Sequence, residues 1–269
     1  MITCLLLASG ATNALQPLDD HSMSQATGQD GLTVTLQDFE PNAQIIWSDN
    51  DGLSPANFGV TVPETGAVVF GDGTTAGNFR MSKGTTVITM DADANAGSPF
   101  LNVNIELPAD LTINTGNVYV AGKDVNDNLI DQTKIMNDMT IKLGGLNLNM
   151  QLGNAPQGAM FLITGVIQSG IQVSNIALIS DTTAGTDHGI GIGQLVVRDG
   201  AGGTNLTFNG LQVSVVSAGL RLTPSAGKVV DILMSDLKLG GVASGDPQIG
   251  GFAMLGLKLG GTSLTISGH

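Results

Sequence analysis

Ile141-Lys142-Leu143-Gly144-Gly145-Leu146-Asn147-Leu148 is an eight-residue pattern: apolar, any, apolar, two turn-type residues, apolar, any, apolar. The chain uses this pattern six times, starting again at Ile171, Ile190, Leu206, Ile232 and Phe252. The later linkers are Ser174-Asn175, Gly193-Gln194, Asn209-Gly210, Ser235-Asp236 and Leu255-Gly256. Gly, Asn and Asp tolerate positive φ, which a sharp corner between strands needs. Each unit therefore predicts two short strands joined by a corner, with both apolar pairs pointing inward. The intervening positions are mostly polar and form the outward face: Lys142, Asn147, Gln172, Thr207, Gln212, Lys238 and Lys258. Val196 and Leu233 break that rule and mark a second contact surface.

Four inward side chains per unit, at roughly 1.5–3 kcal/mol each for full burial, offset the entropy of ordering only when neighbouring units stack. The fold class that follows is all-β, with β-solenoid or β-helix-like stacking of short strands. A β-sandwich is the alternative, because sandwich strands also alternate. Irregular spacing of the units favours the sandwich; the two-residue corner favours the stack.

Upstream, period-two alternation continues in Leu32–Leu36, Val60–Val62, Leu101–Leu107, Leu111–Ile113 and Val118–Val120, each with one buried face. Turn clusters separate them, among them Gly71-Asp72-Gly73 and Pro108-Ala109-Asp110. No amphipathic helix of useful length is visible. The organisation reads as a signal-peptide-like segment (1–14), a polar segment (15–31), an N-terminal β region (32–130) and a C-terminal β-repeat region (131–269).

Segment 1–14 is an apolar run that ends in small residues, with cleavage expected after Ala14, though basic residues before the run are missing. Cys4, the one cysteine, lies inside it, so the mature chain would hold no thiol and no disulfide. No other segment is apolar enough to span a membrane. Within the 269 residues only 4% are aromatic and 12% charged, so aliphatic side chains must build the core. The net charge of −13 repels phosphate, and no Lys/Arg stripe offsets it, which argues against nucleic acid as a partner.

Candidate chemistry is sparse. His21, His188 and His269 are far apart in sequence and lack neighbours at ligand spacing. Asp91, Asp93 and Asn95 offer oxygens at alternate positions, as do Asp124, Asn126 and Asn128, the spacing used in calcium loops. Neither run has Gly at the sixth position or Glu at the twelfth, so the helical calcium motif fails and structural turns are the stronger reading. Ser48-Asp49-Asn50-Asp51-Gly52 is incomplete in the same way. Gly189-Ile190-Gly191-Ile192-Gly193 is followed by no helix, so close strand packing explains it better than a phosphate cradle.

Three stretches carry a family resemblance: Leu15 to Gly31 (LQPLDDHSMSQATGQDG), Leu143 to Gly158 (LGGLNLNMQLGNAPQG) and the ending Leu264 to His269 (LTISGH). Together they resemble the Fil-type pilus-system protein family of gammaproteobacteria, whose domain has no established function. The resemblance implies an exported surface protein associated with pilus-like systems, and it supplies no catalytic residues. The expected function is a non-enzymatic structural protein of a cell-surface or pilus-like assembly, located at the surface, outside the cell or in the periplasm. Self-association or pilus-like components are the expected partners. The alternative is an extracellular calcium- or glycan-binding β module. An enzyme ranks third, because the outward positions carry almost no carboxylates.

Overall fold

The computed structural model describes residues 31–49, 65–82, 84–181, 187–243 and 245–267. The signal-like segment, Cys4, His21, Val60–Val62, His269 and most of the polar segment lie outside the described residues, as do Asn50 to Gly52. The described chain is almost wholly β, with one 3-10 turn at Asn95–Gly97.

The described residues run back and forth in eight passes. The first lays down β1 (Leu32–Leu36), β2 (Asn42–Ala43) and β3 (Ile45–Asp49). The second returns through β4 (Gly66–Phe70), β5 (Phe79–Met81) and β6 (Thr86–Asp93). The third goes out through β7 (Phe100–Glu106), β8 (Thr112–Asn114) and β9 (Val118–Lys123). The fourth comes back through β10 (Leu129–Met136), β11 (Thr140–Lys142) and β12 (Leu146–Gly153). Later passes fuse two short strands into one long one. The fifth and sixth are β13 (Phe161–Ile167) with β14 (Ile171–Asp181), then β15 (His188–Asp199) with β16 (Leu206–Val216). The seventh is β17 (Gly219–Thr223) with β18 (Val229–Gly241), and the eighth is β19 (Gly250–Lys258) with β20 (Leu264–Ile266).

These passes stack in sequence order and build three columns of antiparallel strands. The first column is an 8-stranded sheet, β1-β6-β7-β12-β13-β16-β17-β20. The second runs β2-β5-β8-β11 and then through the near halves of β14, β15 and β18 to β19. The third runs β3-β4-β9-β10 and then through the far halves of β14, β15 and β18. Because those three long strands cross both, the second and third columns form one 12-stranded sheet. The expected boundary at 130/131 falls inside β10.

The core lies between the first and second columns. Leu146, Ile167 and Leu206 from the first side meet Val230 from the second, with Ile171, Val197 and Ile232 packed around them. Smaller clusters line the third column: Ala67, Val69 and Ala121 in one, Ala177, Ile179 and Val242 in the other.

The six units explain the corners. In five of them the second linker residue has positive φ: Gly145 (66°), Asn175 (63°), Gly210 (102°), Asp236 (56°) and Gly256 (71°). In the sixth unit the second linker residue, Gln194, has no positive φ, and the first, Gly193, lies beside Asp236, whose Cβ would sit 2.6 Å from an added Cβ. Yet the same pattern gives two outcomes. Gly144-Gly145 turns the chain from the second column into the first, and Gly210 and Gly256 each insert an unpaired residue into the ladder. An inserted residue reverses the alternation, so both apolar pairs take the core face, although Phe252 and Met254 stay exposed at the last pass. Leu143, Leu146 and Leu148 all reach the core, as do Leu206 with Phe208 and Leu257 with Leu259.

The units at Ile171, Ile190 and Ile232 behave differently. Their linkers bend β14, β15 and β18 side by side at the boundary of the second and third columns, and the register among these three strands runs on unchanged, while β18 shifts by one residue against β19 between Met234 and Leu237. With no residue inserted between these three strands, alternation carries through the bend. Only the pair in the second column faces the core, while the pair in the third column faces out. The expectation that every pair points inward is therefore corrected for half of the units. For the same reason Lys238, expected outside, is 6% exposed, and its ammonium donates to Ala243 O at 2.6 Å.

Candidate interaction surface

Cross-strand partners share a face of a sheet, so the register defines what the third column shows outward. Ile45 pairs Phe70, Phe70 pairs Val118, and Val118 pairs Met136. Met136 pairs Leu178, Leu178 pairs Ile190, and Ile190 pairs Leu239. This single apolar row crosses seven strands. A second row flanks it on each side, with Trp47, Val68 and Val120 at one end and Ile176, Ile192 and Leu237 at the other.

Val118 within the row is buried, but Leu178, Ile190 and Leu239 are 49%, 48% and 61% exposed, and Trp47 is 69% exposed. None of these positions is charged, although the chain carries 23 acidic residues. Scattered apolar residues on a surface are ordinary; here uncharged, exposed apolar residues gather at both ends of the row, and such a patch marks an interaction site. The inward side of the same strands is lined by small residues, Ala67, Ala121, Ala177 and Gly191. A Cβ on Gly189 would lie 1.8 Å from Leu178 O, so the Gly-Ile-Gly run serves close strand packing, with its isoleucines outside. Sequence reading placed these isoleucines inside. The missing signal was parity: two pairs separated by two residues can share a face only if a residue drops out of the ladder.

The candidate calcium residues sit in two separate places. Asp91 and Asp93 lie near the end of β6, where Asp91 is opposite Asn102, and Asn95 is in the following 3-10 turn. The Asn95 N–H donates to Asp93 Oδ1 at 2.6 Å. Asp124, Asn126 and Asn128 form the β9–β10 hairpin loop. There Asp124 Oδ1 accepts from the N–H groups of Asn126 and Asn128, and Oδ2 accepts from Asn128 Nδ2. The Asn128 side chain first, then these two backbone donors, hold the Asp124 carboxyl below its ordinary pKa. Among the described residues no three His, Cys, Asp or Glu side chains gather at one point. His188 starts β15 and is exposed. Val196 and Leu233, flagged as a second contact surface, are direct partners on the outer side of the second column.

An apolar cavity of about 180 Å³ opens between the first two columns, lined by Ile171, Val197, Leu206, Phe208, Leu211 and Leu259. Lys228 at its rim donates to Asp199 and Thr207 O and lies over the Phe208 ring. Burial disfavours the Asp199 carboxylate, but hydrogen bonds from Lys228 and Thr207 and the lysine charge outweigh it. The pKa falls below the ordinary value. The two opposite charges are paired at the cavity rim.

No described helix is long and apolar enough to cross a membrane. Residues 1–97 match a family of unknown function (DUF6160). No curated protein and no solved structure matches the chain.

Proposed function

We propose that this chain is an exported, non-enzymatic structural protein of a cell-surface or pilus-like assembly. The observation that carries the reading is the uncharged apolar face of the third column, from Ile45 to Leu239. A protein with net charge −13 that places Leu178, Ile190, Leu239 and Trp47 in water is built to have that face covered by another protein. The resemblance to Fil-type chains and the signal-like start support placement outside the cytoplasm.

The test is protease shaving of intact cells with peptide detection, comparing wild type with a Leu178→Asp, Leu239→Asp double variant. Both sites are exposed, so the variant folds; circular dichroism checks this. Wild-type peptides are released from the surface, and the variant is lost from the surface fraction into the medium. A chain found only inside cells, or a double variant retained like wild type, would overturn the reading.

A further inference from the structure

We infer that, besides what covers the third-column face, a second copy of this chain is a partner, stacked head to tail so that the last pass of one copy continues as the first pass of the next. The inference rests on the assembly reading above and adds a contact at the strand edges, leaving the third-column face free for another protein.

Among the described residues, both ends of the stack finish in strands with a single partner. Among the described residues β1 pairs only β6, and β2 pairs only β5. At the far end β20 pairs only β17, and β19 pairs only β18. An open edge presents unpaired N–H and C=O groups that only another extended strand satisfies. Natural edges are blunted by proline, charge or shortness. β19 has nine residues, GGFAMLGLK, no proline, and a single charge at its last position. It leaves Phe252, Met254 and Leu255 exposed. At the opposite end β1 leaves Leu32 exposed in the first column, whereas β2, which would meet β19, has only two residues and follows Pro41.

The parity of the fold selects a second copy and its orientation. The 8-stranded first column means an even number of passes. The first pass runs from column one toward column three, and the last runs from column two back to column one. Placing β19–β20 of one copy beside β1–β2 of the next therefore gives antiparallel neighbours in both columns. It also keeps first column on first column and second on second. A two-fold pairing of like ends reverses the column order and sets β19 against β20. Head-to-tail contact is heterologous and does not close, so it yields open chains of copies. Like charge opposes approach, so association strengthens as salt screens it.

The test uses the purified full chain in sedimentation velocity over a range of concentration and salt. Wild type gives a ladder of multiples of the monomer mass that lengthens with salt. One variant blocks the last pass (Leu255→Lys with Ile266→Lys), another the first (Leu32→Lys with Thr35→Pro). Neither polymerises alone, and the two mixed form a one-to-one dimer, because each keeps one complementary end. Phe252→Glu and Leu32→Glu serve as substitutes if melting curves show a variant misfolded. Wild type that stays monomeric throughout overturns the inference, as does a single-end variant that still self-dimerises. In either case retention of the chain at the cell surface would leave the assembly reading standing.

Discussion

The units at Leu206 and Ile232 share a sequence pattern and bury different things. In the first, Gly210 drops out of the ladder between Ile163↔Leu211 and Thr164↔Asn209, and both apolar pairs stay on the core side. In the second, Asp236 has positive φ but the register with β15 is kept, so Ile232 reaches the core while Leu239 faces water. A linker that only bends the strand builds an outer apolar face; one that also drops out of the ladder builds core. The choice lies in pairing, one step above the residue pattern.

The sharpest way to break this contrast is to truncate one leucine from each outcome. Leu206→Ala removes a buried side chain beside an existing cavity and should cost about 2–5 kcal/mol. Leu239→Ala should stay within about 0.5 kcal/mol, as exposed sites do. Urea denaturation of both variants gives the answer. Equal losses would mean that the outer face is covered within the chain itself, and the interaction surface would disappear.

The bends come next. Gly145 has a φ of 66°, and an added Cβ would lie 2.6 Å from Val166 O, so Gly145→Val combines backbone strain with a clash. A cost of about 1–3 kcal/mol is expected. Asn175 holds a similar φ but also donates Nδ2 to Asp138 O at 2.7 Å, tying the bend of β14 to the β10–β11 turn. Asn175→Gly keeps the backbone and loses only that bond, about 1 kcal/mol. If Asn175→Gly proved as costly as Gly145→Val, the backbone would not be what distinguishes the two corners.

Much of this was legible in the chain. Leu32–Leu36 is β1, and the alternation at Leu101–Leu107 is β7 within a residue. The positive φ at the second linker residue follows from Gly, Asn and Asp at those positions. What the pattern could not express was whether a neighbour strand skips a residue, because that depends on two strands at once. For the same reason Lys238 read as surface: its alternation was counted across a bend that was taken to reverse it. Of the candidate calcium runs, Asp124–Asn128 was legible as a turn, because Asp and Asn at alternate positions bond their own backbone first, whereas Asp91 and Asp93 end the strand β6.

A smaller effect joins the two kinds of corner. Asp199, at the end of β15, accepts from Lys228 and from the Thr207 N–H, so it links a second-column strand to the first-column strand β16. Its folded pKa is depressed, so its contribution is present above the unfolded value of about 3.9 and is lost as pH falls through the lower folded value. Wild type should therefore lose stability relative to Asp199→Asn as pH drops from about 5 toward 2, and the two should converge at the acid end. At neutral pH the difference should be about 1 kcal/mol. Parallel curves across that range would remove the pair as a link between columns.

The smallest expected effect concerns the loops that hold no unit. The β9–β10 hairpin makes its reversal with an aspartate cap: both Asp124 oxygens accept from the loop itself. An ion at Asp124 would have to displace those donors, whereas Asp91 and Asp93 stand exposed on β6 with their loop donor on one oxygen only. Calcium titration of the purified chain should therefore give no heat assignable to the hairpin, and chelator should leave the melting temperature unchanged. Asp124→Ala should alter amide exchange in 124–128 and nowhere in the three columns, since the turn caps only itself. A calcium-dependent shift that vanishes in Asp124→Ala would instead make the hairpin a ligand loop. A shift that survives in that variant and vanishes in Asp91→Asn would move the ion to the end of β6, where it would stiffen the chain between the second and third passes.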